Sequence, residues 1–250
     1  MKALITAMLS FVWILPSIAQ EKKVFLNFFT GVASFNTDVT QIDGDDFTST
    51  TLYSSAPTGI SLGVELLKNS YIYFHYGTHR LHNDYLKVTG ENYGATSWNR
   101  PASARNFGVK LKYEINLLKT LKIIPFVGYS TSFISQPSGS YSAFEIRSKS
   151  SSTSSVNGVV TDVKRDSIFS STEFITNNFS GLSAGGELVF DFKNNLGIYL
   201  SYSFFHSSKY YAIQYGEYRS TAISTQKAYT AFGRNGQFYL LGLRYHIFNY

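Results

Sequence analysis

The chain has 250 residues, no cysteine, five prolines, 17% aromatic and 15% charged residues, and a formal charge of +6. Without cysteine there is no disulfide framework, no thiol nucleophile, no cysteine-ligated zinc or iron–sulfur site and no lipidated N-terminal cysteine. A mean hydropathy of −0.08 is too polar for a bundle of membrane helices. After residue 20 no stretch reaches the roughly 20 apolar residues that a spanning helix needs, yet 19 tyrosines and 21 phenylalanines must be kept from water.

In chain order, the first element is an address. Met1 and Lys2 form a short positive region, residues 3–15 are apolar, and Pro16-Ser17-Ile18-Ala19 ends in small residues. This predicts a secretory signal peptide over residues 1–19 and a mature chain from Gln20, forming one domain over residues 20–250. Eight strands follow, at residues 24–35, 59–66, 71–79, 106–116, 121–133, 182–192, 197–206 and 237–248. Their signal is period two. Phe107, Val109, Leu111, Tyr113 and Ile115 alternate with Gly108, Lys110, Lys112 and Glu114, so one face is apolar and the other charged. Ile60, Leu62, Val64 and Leu66 alternate in the same way with Ser61, Gly63 and Glu65. In the sixth strand, Leu182, Ala184, Gly186, Leu188, Phe190 and Phe192 face away from Ser183, Gly185, Glu187 and Asp191.

Connection lengths order the strands. Lys68-Asn69-Ser70, Leu117-Leu118-Lys119-Thr120 and Lys193-Asn194-Asn195 are short and carry hairpin residues. Residues 36–58, 81–105, 135–180 and 207–236 are long and polar. Short and long connections alternate, so in one antiparallel sheet every short turn lies at one end and every long loop at the other, the asymmetry of outer-membrane barrels. Within the third long connection, residues 141–147 and 156–164 have strand character around a serine-rich tip at 148–155. A hairpin continuing the fifth and sixth strands beyond the membrane is the expected form. A ten-stranded barrel is the alternative, and it breaks the alternation.

An apolar face on every strand needs a second sheet or lipid, and in lipid the sheet must close to pair its edges. The charges then fall inside. Glu65, Lys110, Lys112, Glu114, Glu187, Asp191 and Arg244 are predicted to face the barrel interior, both signs together. Tyr71, Tyr113, Phe192, Phe248 and Tyr250 at the short-turn ends, and Tyr76, Tyr129, Phe133 and Phe204 nearer the long loops, are predicted to form two interfacial girdles. The final segment, Leu241-Gly242-Leu243-Arg244-Tyr245-His246-Ile247-Phe248-Asn249-Tyr250, ends on aromatic residues.

The signal peptide, the eight strands and this last strand resemble the small eight-stranded bacterial outer-membrane β-barrel proteins, the group of the OmpA membrane domain and OmpX. The resemblance covers residues 20–250 and implies an all-β, antiparallel up-and-down transmembrane barrel of the porin family. It implies short periplasmic turns, long extracellular loops, and insertion by the barrel-assembly machinery into lipid and lipopolysaccharide. One departure is that Tyr250 lies on the opposite parity to Tyr245 and Ile247.

Functional candidates are few. Eight strands leave an interior that side chains can fill, so the interior charges read first as a structural ion-pair plug; a narrow or gated channel is the rival. His206 and Ser208 share the lipid-facing parity of Ile198, Leu200, Tyr202 and Phe204, where a serine–histidine pair can attack an acyl ester. They resemble the His-x-Ser signature of lipid A deacylase barrels, with Glu217 as the nearby downstream acid and Lys209 where asparagine usually follows. His75 and His79 lie about 13 Å apart along a strand, too far to share one zinc, and are expected to be interior hydrogen-bonding groups. Asp43-Gly44-Asp45-Asp46 lacks the ligand order of a calcium loop. No metal or cofactor is expected, and scattered basic charge gives no reason to expect nucleic acid. The expectation is a non-enzymatic outer-membrane surface protein whose long loops meet an unknown extracellular ligand, with a channel and a lipid A hydrolase as alternatives.

Overall fold

The computed structural model describes residues 23–43, 47–50, 57–81, 85–89, 94–98, 102–135, 146–147, 167–192, 195–219 and 224–248. The predicted signal peptide, the serine-rich tip and most of the Asp43–Asp46 stretch lie outside them. Eight strands, numbered in chain order, build the barrel: β1 Val24–Asp43, β2 Thr58–Leu67, β3 Ser70–Leu81, β4 Ala102–Tyr113, β5 Leu121–Ser135, β6 Asn178–Asp191, β7 Leu196–Ser207 and β8 Gln226–Phe248. Each pairs antiparallel with the next, and β8 returns to pair with β1 from Val24↔Phe248 upward, which closes the sheet. All eight predicted strands are present, and the barrel has eight strands rather than ten.

Closure follows from the alternation. Phe28, Leu66, Phe74, Leu111, Val127, Leu182, Leu200 and Leu243, one from each strand, point outward and are between 39% and 65% exposed. A continuous apolar surface of this extent cannot face water. The short turns sit at one end, as expected. Asn69 (φ 65°) and Asn195 (φ 63°) take the left-handed conformation in two of them, which asparagine tolerates better than most residues.

The long-loop end holds more structure than the sequence suggested. β1 and β8 overrun the barrel and pair with each other as far as Asp43↔Lys227, with a register shift between Phe35 and Thr37. The strand Ala212–Arg219 pairs with the overhang of β8, Ser167–Phe174 pairs with Ala212–Arg219, and Ile146–Arg147 pairs with Ser167–Phe174. Of the hairpin predicted as a continuation of the fifth and sixth strands, residues 141–145 and 156–164 lie outside the described residues, and its described part, Ile146–Arg147, pairs with Ser167–Phe174. β5 ends at Ser135, and the chain leading into β6 borrows its partner from the β7–β8 connection. The cause is the 23-residue length of β8, whose overhang leaves an edge that the preceding Ala212–Arg219 covers before offering an edge of its own. Phe47–Thr50, Tyr85–Thr89 and Gly94–Trp98 form a separate three-stranded sheet. Its strand Gly94–Trp98 lies against Ile146–Arg147 and Ser167–Phe174.

Most of the proposed girdle residues do face outward: Tyr113, Phe192, Tyr129, Phe133 and Phe204 are all exposed. Tyr76 packs on Phe107, with ring centroids 4.9 Å apart, and Phe107 on Phe133 at 5.9 Å. The side chains of Phe248 and Tyr250 lie outside the described residues. Tyr71 is a correction. It is 1% exposed and packs in the lumen against Phe25, because it shares the inward parity of Tyr73, His75 and His79.

Candidate functional site: the sealed lumen

From the short-turn end upward, the lumen is filled in layers. In the first, Glu114, just beyond β4, forms an ion pair with Lys122 Nζ (2.9 Å) and accepts a hydrogen bond from Arg244 Nη2 (3.2 Å). Lys122 also reaches Asp191 (2.6 Å), and Asp191 faces His246 Nε2 at 3.6 Å. The Arg244 guanidinium lies 3.8 Å from the centroid of Phe25, so this buried cation is covered by π-density as well as by a carboxylate. In the second layer Lys112 Nζ donates to Glu187 Oε1 at 2.6 Å while sitting 3.9 Å from the Tyr73 ring. Buried charges paired in this way fill space without leaving an uncompensated ion.

Above them the lining turns mainly to neutral polar side chains, with Lys110 among them. His75 Nε2 is 2.8 Å from Asn106 Oδ1, and Asn106 Nδ2 donates to Ser132 Oγ at 2.9 Å. A cavity of about 70 Å³ lies here, bounded by Ser61, Ser130, Ser183, Ser203 and Lys110 among others. An aromatic layer closes it on the long-loop side. Phe35 meets Phe238, His79, Tyr211, Phe179 and Phe205 with centroids 5.6 to 6.4 Å apart, mostly edge to face, the geometry that aromatic quadrupoles favour.

Glycines make room for these rings. Gly63 is the cross-strand partner of Tyr73, and Gly242 that of Tyr199. A Cβ at Gly63 falls 2.3 Å from the Tyr73 ring, and one at Gly242 falls 2.3 Å from the Tyr199 ring. Large residues lying over small ones is how a narrow barrel fills its interior.

Of the seven charges predicted to face inward, Lys112, Glu114, Glu187, Asp191 and Arg244 are brought into ion pairs, and Lys110 points into the lumen above Phe126, 4.4 Å from its centroid. Glu65 stands apart at the short-turn rim, accepting from the backbone N–H groups of Lys23 and Asn69, each at 3.2 Å. Lys122 and His246 were missed. Both were legible by parity, Lys122 with Ile124 and Phe126, His246 with Arg244.

The remaining candidates are dispersed. His206 lies on the outer face of β7 with Nδ1 2.7 Å from Asn235 Oδ1, and Ser208 is exposed just past the strand end. Glu217 accepts from Arg219 Nε at 2.5 Å and pairs in register with Lys227, whereas His206 pairs with Asn235. Those partners are eight residues apart on β8, about 26 Å along the strand, so histidine and acid are not brought together. His75 and His79 both face inward in different layers. Among the described residues no group of three or more metal-ligating side chains occurs.

No protein-family model and no curated protein matches the chain. Its fold is similar to the crystal structure of the outer membrane protein OprG from Pseudomonas aeruginosa, with a TM-score of 0.50 and 9% identity over 93% of this chain and 100% of that one. A major outer membrane protein from Thermus thermophilus gives 0.43 and 10% over 90% and 99%. Neisserial surface protein A gives 0.40 and 9% over 89% and 96%. The closed eight-stranded sheet, the outward apolar belt and the filled polar lumen define an integral membrane β-barrel of the outer-membrane class. The chain has the fold of the small eight-stranded members of that class.

Proposed function

We propose that this protein is a non-enzymatic bacterial outer-membrane protein in which a sealed barrel anchors an ordered extracellular β-structure that meets a ligand or another surface. The observation that carries this reading is the double closure of the lumen, by the Lys112–Glu187 and Glu114–Arg244 layers on one side and the Phe35-centred aromatic layer on the other. A barrel built to pass solute keeps its interior wet and open; here buried ion pairs and stacked rings occupy it. The short turns lie in the periplasm, and insertion runs through the barrel-assembly machinery. The outer belt faces lipid and lipopolysaccharide, and the sheets at the long-loop end face outward.

Support for a surface role comes from the strand pairing beyond the membrane belt. The β1–β8 overhang, Ala212–Arg219 and Ser167–Phe174 form a sheet in register, which presents side chains in fixed positions as a loose loop does not. Tyr210 donates to Asp38 Oδ2 at 2.6 Å across its base, a bond that raises the phenol's pKa. A gated channel is the second reading, favoured by the polar cavity between the two closures. Planar-bilayer recording of the refolded mature protein decides between them. A silent bilayer with a folded, heat-modifiable barrel supports the anchor, and discrete voltage-stable steps replace it with the channel. A hydrolase using His206 and Ser208 requires wild type to deacylate lipid A and His206→Ala to abolish that activity; intact lipid A after incubation with wild type removes it.

A further inference from the structure

Among the described residues, charge inside the lumen is matched residue by residue with one exception. Lys112, Lys122 and Arg244 are engaged by Glu187, Glu114 and Asp191. For Lys110 no carboxylate oxygen of the described residues lies within 4.0 Å of Nζ. Its register neighbours are Tyr73 on β3 and Gly128 on β5. The absence of a side chain at Gly128 lets the stem cross the strand: a Cβ there falls 2.8 Å from Lys110 Cγ and 3.1 Å from Ser183 Oγ. The ammonium comes to rest 4.4 Å from the centroid of Phe126, the register partner of Lys112, on the floor of the serine-lined cavity that Lys112 and Glu187 also line; Glu187 there is already bonded to Lys112.

Lys110 thus leaves the described lumen with one more cation than carboxylates, and an ammonium in a water-poor interior without a directly bonded counter-charge is costly unless an anion accompanies it. The cavity beside it, about 70 Å³, is bounded by Ser61, Ser130, Ser132, Ser183 and Ser203, hydroxyls that can rotate to donate. From this geometry we infer that the lumen holds a small monovalent anion, chloride or one of similar size, bound by Lys110 and these serine hydroxyls. The cation supplies charge neutralisation, the hydroxyls replace the ion's hydration shell, and the aromatic layer above excludes bulk water. His75 Nδ1, which has no partner among the described residues, takes a co-bound water. Size sets the selectivity, because polyhydroxy carboxylates do not fit the cavity.

The test uses the refolded mature barrel in detergent at constant ionic strength, with sodium chloride exchanged for sodium gluconate. The heat-denaturation midpoint is expected to rise saturably with chloride, by about 2–4 °C, in wild type. In Lys110→Met it is expected to be independent of the anion, and in gluconate no lower than wild type, since an unaccompanied cation has been removed. Equal midpoints in the two salts for wild type, or a chloride response retained by Lys110→Met, overturn the site. If the methionine variant does not fold, Lys110→Gln replaces it. Chloride NMR line broadening by wild type provides a direct reading: broadening that nitrate competes away supports the site, and none beyond detergent alone overturns it.

Discussion

The two halves of the lumen solve one packing problem with different chemistry. Toward the short turns, charges from β4, β5, β6 and β8 are paired across the interior, and each pair depends on partners far apart in the chain, as Lys112 does on Glu187. Toward the long loops, rings from β1, β6, β7 and β8 interlock around Phe35, and the requirement is one of shape. The difference teaches where substitution is tolerated. A charge layer fails when one partner is removed, because the other remains buried and unpaired, whereas an aromatic layer fails in proportion to the volume lost or added.

The comparison is broken most sharply at Glu187. Glu187→Gln leaves Lys112 buried without its carboxylate and adds to the excess charge of Lys110, and a loss of about 3–5 kcal/mol is expected. Urea unfolding in detergent, followed by the heat-modifiable gel shift, reads it. The double variant Lys112→Met/Glu187→Leu, which removes both charges, should recover most of that loss. If it is no better than the single variant, the layer is held by something other than pairing. In the aromatic half, Phe35→Ala opens a void facing five neighbouring rings and should cost about 3 kcal/mol. Smaller still, about 1–3 kcal/mol, is the overpacking expected of Gly63→Ala, where the new methyl meets the Tyr73 ring. Tyr73→Leu in the same chain should relieve it, and no relief would mean that the glycine serves the backbone and not the ring.

Much of this arrangement was legible in the sequence because period two is a direct image of a two-sided strand. The alternation at residues 106–116 located both the lipid face and the inward charges of β4, and Asn69 and Asn195 marked the short turns. Tyr71 was misplaced because its position near a turn suggested an interfacial aromatic, although its parity with His75 pointed inward. Lys122 escaped notice at the end of a strand, where the pattern has few repeats. Which charges pair could not be read, since partners such as Glu114 and Arg244 are brought together by barrel closure alone. The long-loop end was least legible. Ala212–Arg219 and Ser167–Phe174 are strands because the overhang of β8 gives them an edge, and that edge belongs to another part of the chain. The resemblance of His206 and Ser208 to a deacylase pair was a local pattern, and the register carries the acid Glu217 far from the histidine.

The smallest expected effect tests whether burial, and not pairing as such, gives the lower lumen its sensitivity. Glu217 and Arg219 form an ion pair as short as any in the barrel, at 2.5 Å, but their side chains are 31% and 60% exposed. Water and salt screen an exposed pair, and losing one partner leaves the other free to hydrate. Arg219→Ala should therefore change stability by no more than about 0.5 kcal/mol, against several for Glu187→Gln, although both remove one partner from a contact of similar length. Equal losses from the two substitutions would mean that the outer sheet, and not the lumen, limits unfolding. The contrast between a charge-held and a shape-held half would then have to be replaced by one between the barrel and its extracellular extension.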